Sequence, residues 1–209
     1  MNRLSTMLAS LKQPMTMIKV MMAIGGAGVM VILLSSLGGA PKPWEDTRPV
    51  YTVGEMEAFE RTFPSRPLPS VPLKADGQDV ALSSFADGRV LVINLWATWC
   101  GPCVDELPSL AALQRALGDQ VHVIAVAMEP GEGLRQRALL ERLGADNLTL
   151  LMDPKLSLGK RYSDPLTLPV TVIYDGRGRE IGVLPKPANW ESPEAQRLVR
   201  AIAAGGVPR

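Results

Sequence analysis

Cys100 and Cys103 are the only cysteines in 209 residues, and they stand three apart where an apolar strand gives way to a helix. Upstream, Val90-Leu91-Val92-Ile93-Asn94-Leu95 is almost wholly apolar and rich in β-branched residues, the pattern of a strand buried on both faces. Downstream, Leu107, Leu110, Leu113 or Gln114, and Leu117 recur at helical spacing within 104–117. This places Cys100 at or just before the first helical turn. There the unpaired backbone N–H groups and the positive end of the helix dipole stabilise a thiolate. A C-x-x-C cysteine so placed has its pKa lowered to roughly 3.5–7.5. Cys100 is therefore the expected attacking sulfur. Cys103, one turn along on the same side, is the expected resolving thiol, displacing a mixed disulfide formed on Cys100.

Competing readings of the pair are weaker. A structural zinc site needs four ligands, whereas this chain adds only His122, at the start of another apolar run, to its two cysteines. A two-residue loop closes too little chain for a disulfide there to serve stability alone. No metal is expected, and no cofactor beyond the redox-active Cys100–Cys103 disulfide. Beyond residue 44 the chain carries 18 basic and 21 acidic residues, which lacks the basic balance of a nucleic-acid partner.

Trp99-Cys100-Gly101-Pro102-Cys103 after an apolar strand resembles the thioredoxin superfamily. Pro108 matches a familiar helix kink of that fold. Asn94 stands where thioredoxin itself has a buried aspartate, and Glu106 follows Cys103 by three residues. That arrangement, and the stretch Lys186-Pro187-Ala188-Asn189-Trp190-Glu191, look like the TlpA and ResA group of membrane-anchored thiol:disulfide oxidoreductases. The resemblance covers roughly residues 66–204. It implies a thioredoxin-like α/β fold with a central mixed sheet, helices on both faces and an αβ insertion between residues 131 and 152. It also implies a cis bond before Pro169 and a partner-binding surface made by Trp99, Gly101, Pro102, Leu168 and Pro169. With no N–H on Pro169 and its φ fixed, the backbone at Leu168 is left to pair with an extended partner segment. Glu106 has two possible jobs: proton exchange with the inner thiol, or favouring the first helical turn electrostatically together with Asp105.

Lys19 and Lys42 bracket 22 uncharged residues, and about 20 residues at 1.5 Å each cross a ~30 Å hydrocarbon core. Residues 20–40 are thus expected to form a single transmembrane anchor, with a cleaved signal peptide ending near Gly38-Gly39-Ala40 as the alternative. Arg3, Lys12 and Lys19 precede the span and no acid appears before Glu45, so residues 1–19 are expected in the cytoplasm and the remainder in a bacterial periplasm. Seven of the ten methionines fall at or before Met30 and read as lipid-facing rather than copper ligands.

Residues 41–72 hold seven prolines, so 41–65 is expected to be a stiff tether, interrupted by a weak helix over 53–63, with the domain occupying 66–209. Asp76-Gly77 between short apolar runs predicts a hairpin. From residue 89 the pattern reads strand, helix, strand, helix, strand, short helix, two strands around Asp175-Gly176-Arg177-Gly178, and a last helix opened by Ser192-Pro193. A monomer is expected.

The TlpA resemblance implies protein substrates: a Sco-type copper chaperone and the copper-binding subunit of cytochrome oxidase, with electrons from a DsbD- or CcdA-type membrane donor. Gly101-Pro102 resembles the reducing members of the superfamily. Reduction of apocytochrome c is the near alternative, and a copper metallochaperone is the alternative of a different class.

Overall fold

A computed structural model of the chain describes residues 52–162 and 165–206. The cytoplasmic segment and the anchor expected over residues 1–40, and the tether as far as residue 51, lie outside the described residues. Among the described residues no helix is long and apolar enough to cross a membrane.

β4 (Val90–Trp96) is the centre of the molecule, and all seven of its residues are buried. Alternation along it feeds two separate cores. Val90, Val92 and Trp96 face one apolar cluster, while Leu91, Ile93 and Leu95 face the other. Its neighbours are β5 (Val121–Ala127), parallel, and β7 (Val170–Tyr174), antiparallel. β6 (Thr149–Met152) continues the parallel side, and β8 (Glu180–Leu184) pairs antiparallel with β7. Two short strands, β2 (Leu73–Ala75) and β3 (Gln78–Val80), extend the sheet beyond β6, and β1 (Glu60–Arg61) closes the far edge on β8. The order across the eight strands is β1-β8-β7-β4-β5-β6-β2-β3.

α1 (Gly101–Leu117) and α4 (Pro193–Ala203) pack on one face of this sheet. Ser192 caps α4 through the Ala195 N–H at 3.2 Å, as the Ser-Pro opening predicts. The predicted insertion is present as α2 (Leu134–Arg142) followed by β6, and α3 (Gly159–Tyr162) is a single turn. Mixed sheet, helices and insertion together make the thioredoxin-like α/β fold that the sequence implies. The β2–β3 hairpin turns at Asp76 (φ 48°) and Gly77 (φ 78°), the paired positive-φ geometry that suits a two-residue loop.

The expected helix over 53–63 does not form. A 3-10 turn at Gly54–Met56 leads into β1, and Met56 and Phe59 are buried in the α1 core. Tertiary burial of these two side chains overrides the weak local preference. Gly182 makes the arrangement possible, because a Cβ there would lie 2.5 Å from both the Glu60 carbonyl oxygen and the Phe59 ring. The region from Gly54 onward thus belongs to the packed fold, and the boundary drawn at residue 66 falls inside it.

A buried clasp holds the next segment. Glu180, fully enclosed, accepts hydrogen bonds from Thr62 Oγ1 (2.6 Å) and Arg66 Nη2 (2.5 Å) on one oxygen and from Tyr162 Oη (3.1 Å) on the other. Burial opposes its ionisation, yet these donors together hold the carboxyl below its usual pKa. Tyr174, hydrogen-bonded to Tyr162, completes the group.

Candidate active site

The two cysteines lie beyond the carboxyl end of β4, next to the carboxyl end of β5, the position where open α/β sheets bind ligands. Trp96 ends the strand, Ala97 to Trp99 turn the chain, and Cys100 is the N-cap of α1 with extended backbone (φ −93°, ψ 99°). Its Sγ accepts a hydrogen bond from the Cys103 N–H at 3.3 Å. The cap position that Ser or Asp commonly fills is therefore held by sulfur, directly on the unpaired amides of the helix. A negative charge on a sulfur in such a position strengthens the bond, as charge-assisted hydrogen bonds are stronger than neutral ones.

Cys100 and Cys103 are joined in a disulfide with Cα atoms 5.3 Å apart. Cys100 keeps 7% of its surface exposed and Cys103 none, so only the outer sulfur is open to a partner. Around it Gly101 and Pro102 are exposed, and Trp99 is 67% exposed, an apolar ring standing free beside the sulfur. Leu95 pairs with Val170, which brings Pro169 level with Trp96. The Leu168–Pro169 bond is cis, as the resemblance implies, and Leu168 packs against the cluster that contains both cysteines. The Phe63–Pro64 bond is also cis.

Glu106 points inward. It is 4% exposed, and its carboxylate is caged by three donors from distant parts of the chain. Asn94 Nδ2 reaches Oε1 at 2.7 Å, while the Ala188 N–H (3.1 Å) and Trp190 Nε1 (3.4 Å) reach Oε2. Burial pushes its pKa up to about 7, against the pull of the Ala188, Asn94 and Trp190 donors. Asn94, set in an otherwise apolar strand, also donates to Thr171 Oγ1 at 3.0 Å, while its Oδ1 has no partner among the described residues. Asn94 and Glu106, twelve residues apart in the chain, are thus in direct contact. An open cleft of about 720 Å³ lies over this region, lined among others by Pro102, Asp105, Glu106, Pro187 and Ala188.

Glu106 is legible in the sequence, and its cage is not. Thr171 carries no signal of its own, and Ala188 and Trp190 enter only through the resemblance of their stretch. The buried polar Asn94 in the run 90–96 is the one local clue. His122 is half-buried at the start of β5, paired with Leu91 at the end of the sheet away from the cysteines. It bonds Thr149 Oγ1 (2.7 Å) and Arg89 Nη2 (3.1 Å). Among the described residues no three potential metal-ligating side chains gather.

A thioredoxin-like sheet with a half-open cysteine pair capping the helix after its central strand defines a thiol–disulfide exchange protein. The Redoxin family profile matches residues 63–198, and the chain belongs to that family. It is similar to the thioredoxin-like protein YneN of Bacillus subtilis, 27% identical over 155 residues covering 73% of this chain and 84% of that one. The thiol-disulfide oxidoreductase ResA of Oceanobacillus iheyensis is 29% identical over 89 residues, 42% of this chain and 43% of that one. Among solved structures, a secreted thiol-disulfide isomerase from Corynebacterium glutamicum superposes with a TM-score of 0.57 at 18% identity, covering 70% of this chain and 92% of its own, a likeness of fold. The chain is a TlpA/ResA-like member of the thioredoxin superfamily and a thiol:disulfide oxidoreductase.

Proposed function

We propose that this oxidoreductase works as a reductant of exported partner proteins, tethered to the outer face of a bacterial inner membrane by residues 20–40. The observation that carries the reading is the asymmetry of the pair, an exposed-side Cys100 on the helix cap and a sealed Cys103 one turn from a carboxyl with pKa near 7. In the forward reaction the Cys100 thiolate attacks one sulfur of a partner disulfide. A Cys100–partner disulfide forms and a partner thiolate leaves. Cys103 then loses its proton, with Glu106 as the acceptor, and attacks Cys100 Sγ. The mixed disulfide breaks, the second partner thiolate leaves, and two electrons have passed from the dithiol to the partner. A DsbD- or CcdA-type membrane donor restores the dithiol.

The partners we propose are the cysteines of a Sco-type copper chaperone and of the copper-binding oxidase subunit, on the resemblance to TlpA. Tyr162-Ser163-Asp164-Pro165-Leu166-Thr167-Leu168-Pro169 favours this over apocytochrome c, because dedicated apocytochrome reductants resemble a Gly-Val-Tyr-Gly-Ala-Pro-Glu pattern there. A copper metallochaperone of the Sco kind uses a distant histidine beside its cysteines. His122 sits at the opposite end of β5 from the pair, which counts against that reading.

Cys103→Ser in the full-length chain tests the assignment. It is expected to accumulate mixed disulfides on Cys100 that reducing agent releases. Recovery of a copper chaperone or oxidase subunit supports the proposal, recovery of apocytochromes transfers it to the alternative, and trapping by Cys100→Ser instead reverses the roles of the two sulfurs.

A further inference from the structure

Glu129 is a carboxylate that the exchange chemistry does not use, yet it is 9% exposed just past the end of β5. Its three hydrogen-bond donors are neutral groups. Oε1 accepts from the Thr98 N–H at 3.1 Å and from Gln136 Nε2 at 2.8 Å, and Oε2 accepts from Thr98 Oγ1 at 3.0 Å. Thr98 lies two residues before the nucleophile, in the turn between β4 and α1. Gln136, itself 4% exposed, lies on the insertion helix α2. One side chain therefore grips the backbone and the hydroxyl of the reactive turn while being gripped by the insertion. Next to it the Met128 N–H bonds the Trp96 carbonyl at 2.7 Å, so the end of β4 and the middle of the turn are both fastened to the segment that follows β5.

We propose that Glu129 is the positioning residue of the Ala97–Cys100 turn, and that the α2–β6 insertion acts on the redox pair through it. Burying a carboxylate on neutral donors costs free energy that only fixed geometry recovers. What the geometry fixes here is the approach of Cys100 to the head of α1. In the disulfide form Cys100 is held covalently by Cys103. In the dithiol form that tether is gone, and Cys100 Sγ stays on the Cys103 N–H only if the turn behind it is rigid. Loss of the Glu129 contacts therefore weakens the reduced form and leaves the oxidised form nearly untouched. The dithiol–disulfide equilibrium shifts towards the disulfide. The inference rests on Cys100 being the attacking thiol, which the Cys103→Ser trapping experiment decides separately.

The test is equilibration of the full-length chain in mild detergent with glutathione buffers, with the dithiol fraction read by thiol labelling and the melting temperature recorded alongside. Glu129→Ala is expected to shift the equilibrium constant about tenfold towards the disulfide, roughly 30 mV for a two-electron couple. Glu129→Gln keeps an oxygen for the Thr98 N–H and for Gln136, and presents its amide to the Thr98 hydroxyl, so it is expected to stay within about threefold of the parent. Gln136→Leu, which removes only the grip from α2, is expected to shift the constant about threefold in the direction of Glu129→Ala, and it decides the matter if Glu129→Ala does not fold. A lowered melting temperature with an unmoved equilibrium constant in Glu129→Ala, or in Gln136→Leu where it stands in, overturns the inference. So does Glu129→Gln matching Glu129→Ala, since charge and not position is then at work. If the Cys103→Ser chain traps partners while these constants stay put, the exchange mechanism survives and only the role of Glu129 falls.

Discussion

Replacing Cys100 with Ser is expected to abolish disulfide reduction, by at least about a thousandfold, while leaving the fold intact. The size follows from chemistry. A hydroxyl at the helix cap has a pKa far above that of a thiol and does not ionise at neutral pH, so no nucleophile remains on the exposed side of the pair. The intact fold follows from structure, because serine is among the favoured N-cap residues and its oxygen takes the Cys103 N–H that sulfur now holds. Cys103→Ser should behave differently. Its exposed thiolate still attacks, so the first half of the reaction proceeds and stops at the mixed disulfide. Turnover with a model disulfide substrate, set beside far-UV circular dichroism, checks both. Equal residual turnover in the two variants, with no trapped species in either, counts against the division of labour between outer and inner sulfur.

Substituting Glu106 with Gln has the second-largest expected effect, and it shows in two separable measurements. The first is the dependence of stability on pH. In the unfolded chain the carboxyl titrates at 4.5, and in the folded protein at about 7. Between these values the native state holds a proton that the unfolded state has released, so stability falls as pH rises from 4.5 to 7 and levels off above. At 1.36 kcal/mol per pKa unit the decline is about 3 kcal/mol. Urea titrations across that range should show this slope in the parent protein and lose it in Glu106→Gln. The amide keeps one favourable orientation in the cage, since the free Oδ1 of Asn94 is able to accept from it if the asparagine turns over. The second measurement is rate. Resolution of the mixed disulfide by Cys103 needs a proton acceptor inside a sealed site, and general-base assistance of this kind contributes about a hundredfold or more. Resolution by the parent should accelerate as pH passes through 7, and Glu106→Gln should be about a hundredfold slower without that rise. An unchanged resolution rate leaves Glu106 with only its place in the helix.

What the sequence showed clearly is whatever depends on local pattern. The run Val90 to Trp96 reads as a central strand because a strand buried on both faces has no polar face to display. Asp76-Gly77 reads as a tight hairpin because both of its residues accept positive φ. Ser192-Pro193 reads as a helix start because the cap and the fixed φ of proline both favour one. The cysteine pair was legible for the same reason, its chemistry being set by three residues of spacing at a helix end. What escaped depends on meetings at long range. β1 has two residues and no period, and it exists because Phe59 finds room over Gly182. The cage of Glu106 closes through Ala188 and Trp190, more than eighty residues along the chain. Glu129 looks like a loop acid until Thr98 and Gln136 are seen to converge on it.

The N-cap geometry is expected to make one of two chemically identical thiols a ready nucleophile. The pH dependence of carboxymethylation in the reduced full-length chain, resolved for each cysteine by peptide mapping, tests it most directly. Cys100 is expected to be alkylated first, with an apparent pKa at least about one unit below the 8.5 of a free thiol, while Cys103 resists alkylation throughout the neutral range. Two cysteines that react at equal rates and both titrate near 8.5 would contradict it.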